Sequence, residues 1–425
     1  MYAYIQLLRR NPAYARLWAA QAVSLLGDWF DTIALLALVA RFSNGSGVAV
    51  SALLVARFLP PLIVGPFAGV LVDRLNRKLL MIISDSARVL IVLGFLLVSD
   101  ASHLWIIYLL TALQFSFSAM FDPARNAILP SLVIPDDLVK ANFLGSATWS
   151  VMLAAGAAIG GAVAGLFGTS TALVVDAASF ALSALLIASI HIGQNAAAST
   201  AADKPAVAEP KSQMGFVDGL RYIAKRPATA ATLLIKLGGS IGSLDTFMAL
   251  YATQRFVIGE NGTGSLGIMY AAFGLGAVLG PIILNRFNAD SIRIMRRYIS
   301  IGYVCITLGW FFFGGAPTLF IAALGLLVKA MGSSVYWTYS SVILQKTVPD
   351  KFLGRLFALD SAGFQLASVV SIIITGWLLD RLKDIPVQNF VIGTGIVSLI
   401  PLIVWTLALP WIERKALIER ELKST

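Results

Sequence analysis

The chain has 425 residues, 58% of them hydrophobic and only 13% charged, and its mean hydropathy is +0.82. A water-soluble fold of that composition would expose far too much apolar surface, so the chain reads as a polytopic membrane protein. The formal net charge of +10 raises nucleic acid as a partner, but its placement along the loops points to membrane topology instead.

Met1 to Arg16 is polar, carries no cleavable apolar leader, and reads as a short amphipathic helix lying against the cytoplasmic membrane surface. A spanning helix takes about 20 apolar residues. Twelve runs qualify, near 18–42, 48–72, 79–98, 103–121, 143–167, 171–191, 229–254, 264–286, 298–314, 318–344, 355–379 and 390–411. The alternating pattern of barrel strands is missing, which leaves an all-α fold of twelve transmembrane helices. After the sixth run, residues 194–210 are rich in Ala, Ser, Pro and Lys, as flexible linkers are. Ser212 to Arg226 follows as an amphipathic interfacial helix. The predicted organisation is therefore an N-terminal six-helix bundle over 1–193, a cytoplasmic linker with its helix over 194–227, and a C-terminal six-helix bundle over 228–425.

With both termini on one side, that side holds 24 of the 32 Lys and Arg residues, and the other holds only Arg41, Arg255, Arg381 and Lys383. The positive-inside rule then makes both termini cytoplasmic and assigns the basic charge to topology and anionic lipid rather than to nucleic acid. Cys305 is the single cysteine and excludes an intramolecular disulfide.

The two halves repeat one another. Asp31-Thr32 recurs as Asp245-Thr246 and Pro135-Asp136 as Pro349-Asp350, both at an offset of 214, while Gly65-Pro66 recurs as Gly280-Pro281 at 215. Each pair occupies the equivalent position in its half, which predicts two like-oriented bundles related by a pseudo-two-fold axis.

Between the second and third runs, Gly65-Pro66-Phe67-Ala68-Gly69-Val70-Leu71-Val72-Asp73-Arg74-Leu75-Asn76-Arg77-Lys78 forms a tight cytoplasmic hairpin. Gly65 and Gly69 share a helical face that lets another helix approach, and Asn76 is placed to take a left-handed turn. This spacing resembles the loop 2 to 3 signature of the major facilitator superfamily of secondary transporters, with Asn76 where that family usually has Gly. Asp122-Pro123-Ala124-Arg125, Leu129-Pro130, Ala141-Asn142, Gly27-Asp28-Trp29 and Asp176-Ala177-Ala178-Ser179-Phe180 resemble the branch containing the enterobactin exporter and macrolide efflux proteins. Gly156-Ala157-Ala158-Ile159-Gly160-Gly161 is similar to the antiporter signature, with Ala157 in place of its usual Pro. The resemblance implies a monomer working by alternating access in the bacterial inner membrane. It also implies a cytoplasmic gate built from Gly69, Asp73, Arg77, Asp122 and Arg355.

An ionisable group at mid-membrane is costly and is a site candidate by default. Asp28 and Asp31 share one face of the first span, and in a low dielectric two such carboxylates oppose each other's ionisation, which suits a proton-exchanging acid. Asp245 is the repeat counterpart of Asp31 and joins them as a proton-coupling candidate. Arg57, Lys236 and Lys329 are placed to neutralise these acids or attract an anionic substrate, and Gln114, Trp337 and Gln365 complete the substrate-cavity candidates. Asp85 and Arg88, one turn apart, read as a mutual ion pair, and Asp176 as structural. Two isolated histidines and one cysteine make no metal site, and no phosphate-cradling loop indicates ATP. The sequence carries no nucleophile with its base and no cofactor motif, so it does not read as an enzyme. The reading is a proton-coupled exporter of small amphipathic molecules of drug or siderophore type, with protons, substrate and lipid as partners. A transporter of lysophospholipid or another lipid-like solute is the alternative within transport, and a non-transporting membrane sensor the alternative outside it.

Overall fold

The computed structural model describes residues 2–191, 221–286 and 291–424. Most of the predicted linker, including residues 194–220, lies outside this range. Every regular element among the described residues is helical. The chain divides into two compact units, Met1–Pro210 with Met248–Ala271, and Lys211–Phe247 with Ala272–Thr425.

The first unit contains α1 (Tyr2–Arg10), α2 (Pro12–Phe42), α3 (Gly47–Arg74), α4 (Arg77–Phe95), α5 (Leu104–Ile128), α6 (Pro135–Val151), α7 (Ala157–Phe167) and α8 (Thr169–Ala188). Helix α2 is its axis. Every residue from Phe30 to Ala40 is buried, because α3, α7 and α8 pack around it; an all-round apolar helix suits that central position. The short α1 docks on α6, where Tyr4 stacks on Phe143 with ring centroids 5.6 Å apart. Between α6 and α7 a π-helical turn spans Met152–Gly156. Gly156 accommodates the Trp29 ring there, since a Cβ would lie 2.9 Å from Trp29 Cδ1.

The α3–α4 hairpin corrects one expectation. Asn76 has φ −65° and ψ 112°, and its side chain accepts a hydrogen bond from the Leu79 amide at 3.2 Å. Asn76 is thus the N-cap of α4 rather than a left-handed turn residue, a role for which Asn ranks among the best residue types. Gly65 has open space where a side chain would sit, so the close helix approach expected there is absent among the described residues.

The remaining helices are α9 (Pro227–Gly238), α10 (Leu244–Gln254), α11 (Thr263–Asn285), α12 (Ile292–Gly314), α13 (Leu319–Thr347), α14 (Asp350–Arg381) and α15 (Val387–Ser424). Helices α12 and α13 form the tightest pair of the second unit. A Cβ at Gly332 would lie 2.2 Å from the Gly302 carbonyl oxygen, and one at Gly309 would lie 2.7 Å from that of Gly325. Such contact is how spanning helices gain dispersion energy where lipid removes the hydrophobic drive.

Among the described residues, ten helical segments are long and apolar enough to cross a membrane. Two predicted runs fall short of that measure for identifiable reasons. Run 79–98 corresponds to α4, which carries Asp85 and Arg88 in its interior. Run 229–254 is broken between α9 and α10, where Gly242 takes φ +80°. The break is hydrogen-bonded by its neighbour: the Ser243 amide donates to Thr375 Oγ1 on α14 at 3.2 Å. Interrupted helices are tolerated at membrane depth only with such replacement partners. Large apolar side chains such as Leu90, Leu166, Leu185, Phe320 and Leu407 stand exposed on the outer helix faces, as lipid contact requires.

Candidate functional site

The first unit concentrates buried polar side chains around α2. Asp31 is 2% exposed, and its Oδ2 accepts a hydrogen bond from Gln114 Nε2 on α5 at 2.6 Å. Its Oδ1 accepts from Thr32 Oγ1 at 3.2 Å, and Arg57 Nη1 on α3 donates to that same Thr32 hydroxyl. The Arg57 guanidinium lies 4.8 Å from the centre of the Phe115 ring, a cation–π geometry that stabilises a partly desolvated cation. Asp31, Thr32, Arg57, Thr111 and Phe115, with leucines of α2 and α3, line a small pocket. Its wall is mostly leucine and phenylalanine, with one acid, one base and two threonine hydroxyls as the polar groups.

Three further acids lie nearby. Asp85 pairs with Arg88 as the sequence suggests, and Asp85 Oδ2 also accepts from Ser183 Oγ at 2.6 Å. Arg88 is sandwiched between Phe180 at 4.2 Å and Phe121 at 5.1 Å. Asp176 is wholly buried and rests on α2, where a Cβ at Gly27 would lie 2.3 Å from Asp176 Oδ1. The sequence motifs around Gly27 and Asp176 thus meet face to face. Asp28 contributes its carbonyl to Thr32 Oγ1 at 2.5 Å.

In the second unit, Lys236 on α9 forms a buried ion pair with Asp360 on α14. Lys236 Nζ also donates to Ser341 Oγ at 3.0 Å and lies 4.2 Å from the centre of the Trp337 ring. Trp337 in turn meets Phe364 edge-on at 4.9 Å. The pairing of Lys236 with Asp360 spans 124 residues, and no local pattern announces it. Lys329 is buried over the faces of Trp310 at 4.7 Å and Phe273 at 5.6 Å, with Asp245 acting on it electrostatically. The repeat offset of 214 carries Phe115 onto Lys329. Each half therefore sets a cation near its α2-type acid, supplied by α3 in one half and by α13 in the other. Gln365 is half-buried beside Phe364 and stands outside this cluster.

The gate candidates are spread along the loop ends. The side chains of Gly69 and Asp73 lie outside those described. Arg77 Nη1 donates to the Ala127 carbonyl at 3.2 Å. Asp122 is 69% exposed and faces Arg125 within its own helix at 3.5 Å, and Arg125 Nη1 donates to Gln21 Oε1 at 2.8 Å. Arg355 lies 6.0 Å from the Phe352 ring centre. Two basic residues have a structural role the sequence does not signal. Lys78 Nζ donates to the carbonyls of Ala188 and Ile190 at 2.7 Å each, and Arg16 Nη1 to that of Ser189 at 2.9 Å. Together they satisfy the otherwise open carbonyls at the C-terminus of α8, where the helix dipole favours cations.

This bundle of apolar helices with buried acids and bases, duplicated along the chain, is matched by a sequence model of the Major Facilitator Superfamily over residues 17–328 and 264–423. The chain belongs to the major facilitator superfamily. It is a multi-pass membrane transporter of the kind found in bacterial plasma membranes. Among its superfamily relatives, the MFS-type transporter YfiS of Bacillus subtilis (strain 168) is 27% identical over 421 residues, covering 93% of this chain and 94% of that one. Macrolide efflux protein A of Streptococcus pyogenes is 23% identical over 376 residues, covering 86% and 89%. The putative bacilysin exporter BacE of Bacillus subtilis (strain 168) is 24% identical, covering 84% and 86%. Among solved structures, a bacterial homolog of the human lysosomal transporter Spinster, inward-facing and unoccupied, superimposes with a TM-score of 0.73 at 14% identity over 96% of this chain and 98% of that one. At that identity the likeness shows the superfamily fold alone.

Proposed function

We propose that this transporter is a proton-coupled exporter of small amphipathic molecules, of drug or siderophore type, working by alternating access. The observation that carries the reading is that Asp31, held by Gln114, and Arg57 line one small, mostly apolar pocket. An apolar wall accommodates the body of an amphipathic guest, and the acid answers to both proton and substrate. Relatives named for macrolide efflux and bacilysin export support the direction. In this reading Asp28, Asp31 and Asp245 exchange protons. Arg57, Gln114, Lys236, Lys329, Trp337 and Gln365 line the substrate path. Gly69, Asp73, Arg77, Asp122 and Arg355 form the cytoplasmic gate between two six-helix halves, 1–193 and 228–425, joined by the linker 194–227. The protein works as a monomer in the inner membrane, in contact with lipid, with both termini in the cytoplasm.

The test is transport in everted membrane vesicles under an imposed pH gradient, with ethidium and erythromycin as probes. The wild-type protein is expected to drive their accumulation, and collapsing the gradient to abolish it. Asp31→Asn, which leaves Gln114 and Arg57 without their charged partner, is expected to lose driven accumulation entirely. Movement of the probes that ignores the gradient, or an unimpaired Asp31→Asn, overturns the reading.

A further inference from the structure

The stretch Met248–Ala271 follows the linker in sequence, yet it groups with the first unit. Backbone seats it there against backbone. A Cβ on Gly161 of α7 would lie 2.5 Å from Gly267 Cα on α11, and one on Gly259 would lie 2.8 Å from Gly165 Cα. Next to them Trp29 of α2 meets Tyr270 at 5.1 Å between ring centroids. The C-terminal end of α8 lies at the α3–α4 hairpin, where Lys78 bonds it, so the turn before α8 at Gly168 marks the opposite end of the unit. At that end Glu260 Oε2 accepts a hydrogen bond from the Thr169 amide, the first of α8, at 3.0 Å. Both sides are shaped for this bond. Gly168 has φ +93°, and a Cβ there would lie 2.9 Å from Glu260 Oε2, so the carboxylate fills the space a side chain would take. Glu260 is aimed by a turn in which Asn261, at φ +53°, adopts a left-handed conformation uncommon outside glycine. Asn261 Nδ2 donates to Glu260 Oε1 at 3.3 Å, Thr263 Oγ1 to the Glu260 carbonyl at 2.7 Å, and the Gly264 amide to the Ile258 carbonyl at 3.0 Å. Such over-determined turns cluster where segments switch.

A carboxylate at a helix N-terminus meets open amides and the positive end of the dipole. Where it is exposed, that attraction shifts an equilibrium by only about two- to five-fold. Glu260 is exposed, so water replaces the Thr169 amide at little cost when the surfaces part. A buried pair such as Asp85–Arg88 could not open and close so readily, because each separated charge would remain out of water. We propose that Glu260 is a reversible latch, which holds Met248–Ala271 on α7 and α8 and keeps the transporter closed at the end away from the α3–α4 hairpin. The small-residue contacts supply the fit, and Glu260 biases the open and closed forms. Its role as a gate rests on the alternating-access reading, whereas the closure itself does not.

Labelling of Ala271→Cys on a Cys305→Ala background tests the latch without any substrate. Ala271 is partly buried and follows Gly267 by one turn on the same face of α11, one turn deeper than the closest approach. A membrane-impermeant maleimide is applied to the side that labels Asp100→Cys, which stands exposed at the end of α4 away from the hairpin. Ala271→Cys is expected to react more slowly than Asp100→Cys. Glu260→Ala should raise the Ala271→Cys rate about two- to five-fold. Glu260→Gln keeps an acceptor for the Thr169 amide and should fall between, and the exposed control Asp384→Asn should change nothing. Gly267→Ala, whose Cβ would lie 2.8 Å from the Ala157 carbonyl oxygen, should raise the rate through the fit instead of the charge. If Gly267→Ala fails to fold, the Glu260 variants still decide. A Glu260→Ala rate equal to that of the unsubstituted latch overturns the proposal, and so does an Ala271→Cys that labels as fast as Asp100→Cys. If labelling behaves as expected but the parent protein moves no ethidium, the transport reading falls and the latch stands.

Discussion

Buried charges decide the chemistry at the scale of single residues, and their partners differ in kind. Arg88 combines one carboxylate with two aromatic faces, so Asp85 depends on it alone for charge. Truncating one partner of a buried pair leaves the other uncompensated, at a cost of about 3–5 kcal/mol, whereas replacing both with apolar groups of similar volume is often neutral. Arg88→Ala is therefore expected to lower the thermal unfolding temperature in detergent sharply, and Asp85→Leu combined with Arg88→Met to restore most of the loss. Equal damage from the single and double changes would show that Arg88 acts through packing and not charge. The positions of Asp31, Asp85, Arg88 and Asp176 at membrane depth are legible from the sequence. Their partners Gln114, Ser183 and Phe180 are not, because partnership is set by how helices rotate against one another.

Contacts between helices follow the missing side chains. The glycines of α12 and α13 face backbone atoms directly, and a Cβ at Gly332 has no flexible neighbour to push aside. Overpacking of a close contact costs about 1–3 kcal/mol, and more where backbone must move. Gly332→Leu should thus abolish a monodisperse peak in size-exclusion chromatography. Gly393→Ala, at a position with open space around it, should be neutral or stabilise by about 0.5–1 kcal/mol, as removal of a helix-interior glycine does. A well-folded Gly332→Leu would mean that α12 and α13 do not approach as described. The sequence marks Gly65 and Gly69 for close approach as readily as Gly302 and Gly332, yet Gly65 faces open space. Spacing places glycines on a helix face but does not say whether a neighbour occupies it. The turn at Asn76 carries the same lesson, since left-handed geometry and N-capping draw on the same residue type.

For the molecule as a whole, topology follows from where Lys and Arg fall, and the side to which the loops are assigned is open to direct measurement. On a Cys305→Ala background, Asp100→Cys in the exposed turn after α4 should react with a membrane-impermeant maleimide in intact cells. Arg74→Cys, at the exposed end of α3, should react only after permeabilisation. The reverse pattern would place the termini outside. The duplicated order of acids shows how far pattern reaches at this scale. Asp31 and Asp245 are matched by their offset, but the cation that acts electrostatically with each comes from a different helix, a substitution that the offset alone does not reveal.

The amino-acid order by itself determined that this is an all-helical, duplicated transporter of the major facilitator superfamily, because apolar run length, loop charge and short ordered motifs are local quantities that a membrane reads directly. It also fixed which ionisable groups must be hidden from lipid. Only the tertiary structure decided that Asp31 shares a pocket with Arg57 and accepts a hydrogen bond from Gln114, that Lys236 neutralises Asp360 across 124 residues, and that Asp176 lies against Gly27 with an oxygen unanswered among the described residues. Those pairings depend on the rotation and closest approach of helices distant in sequence, and no periodicity within one helix encodes the face of another.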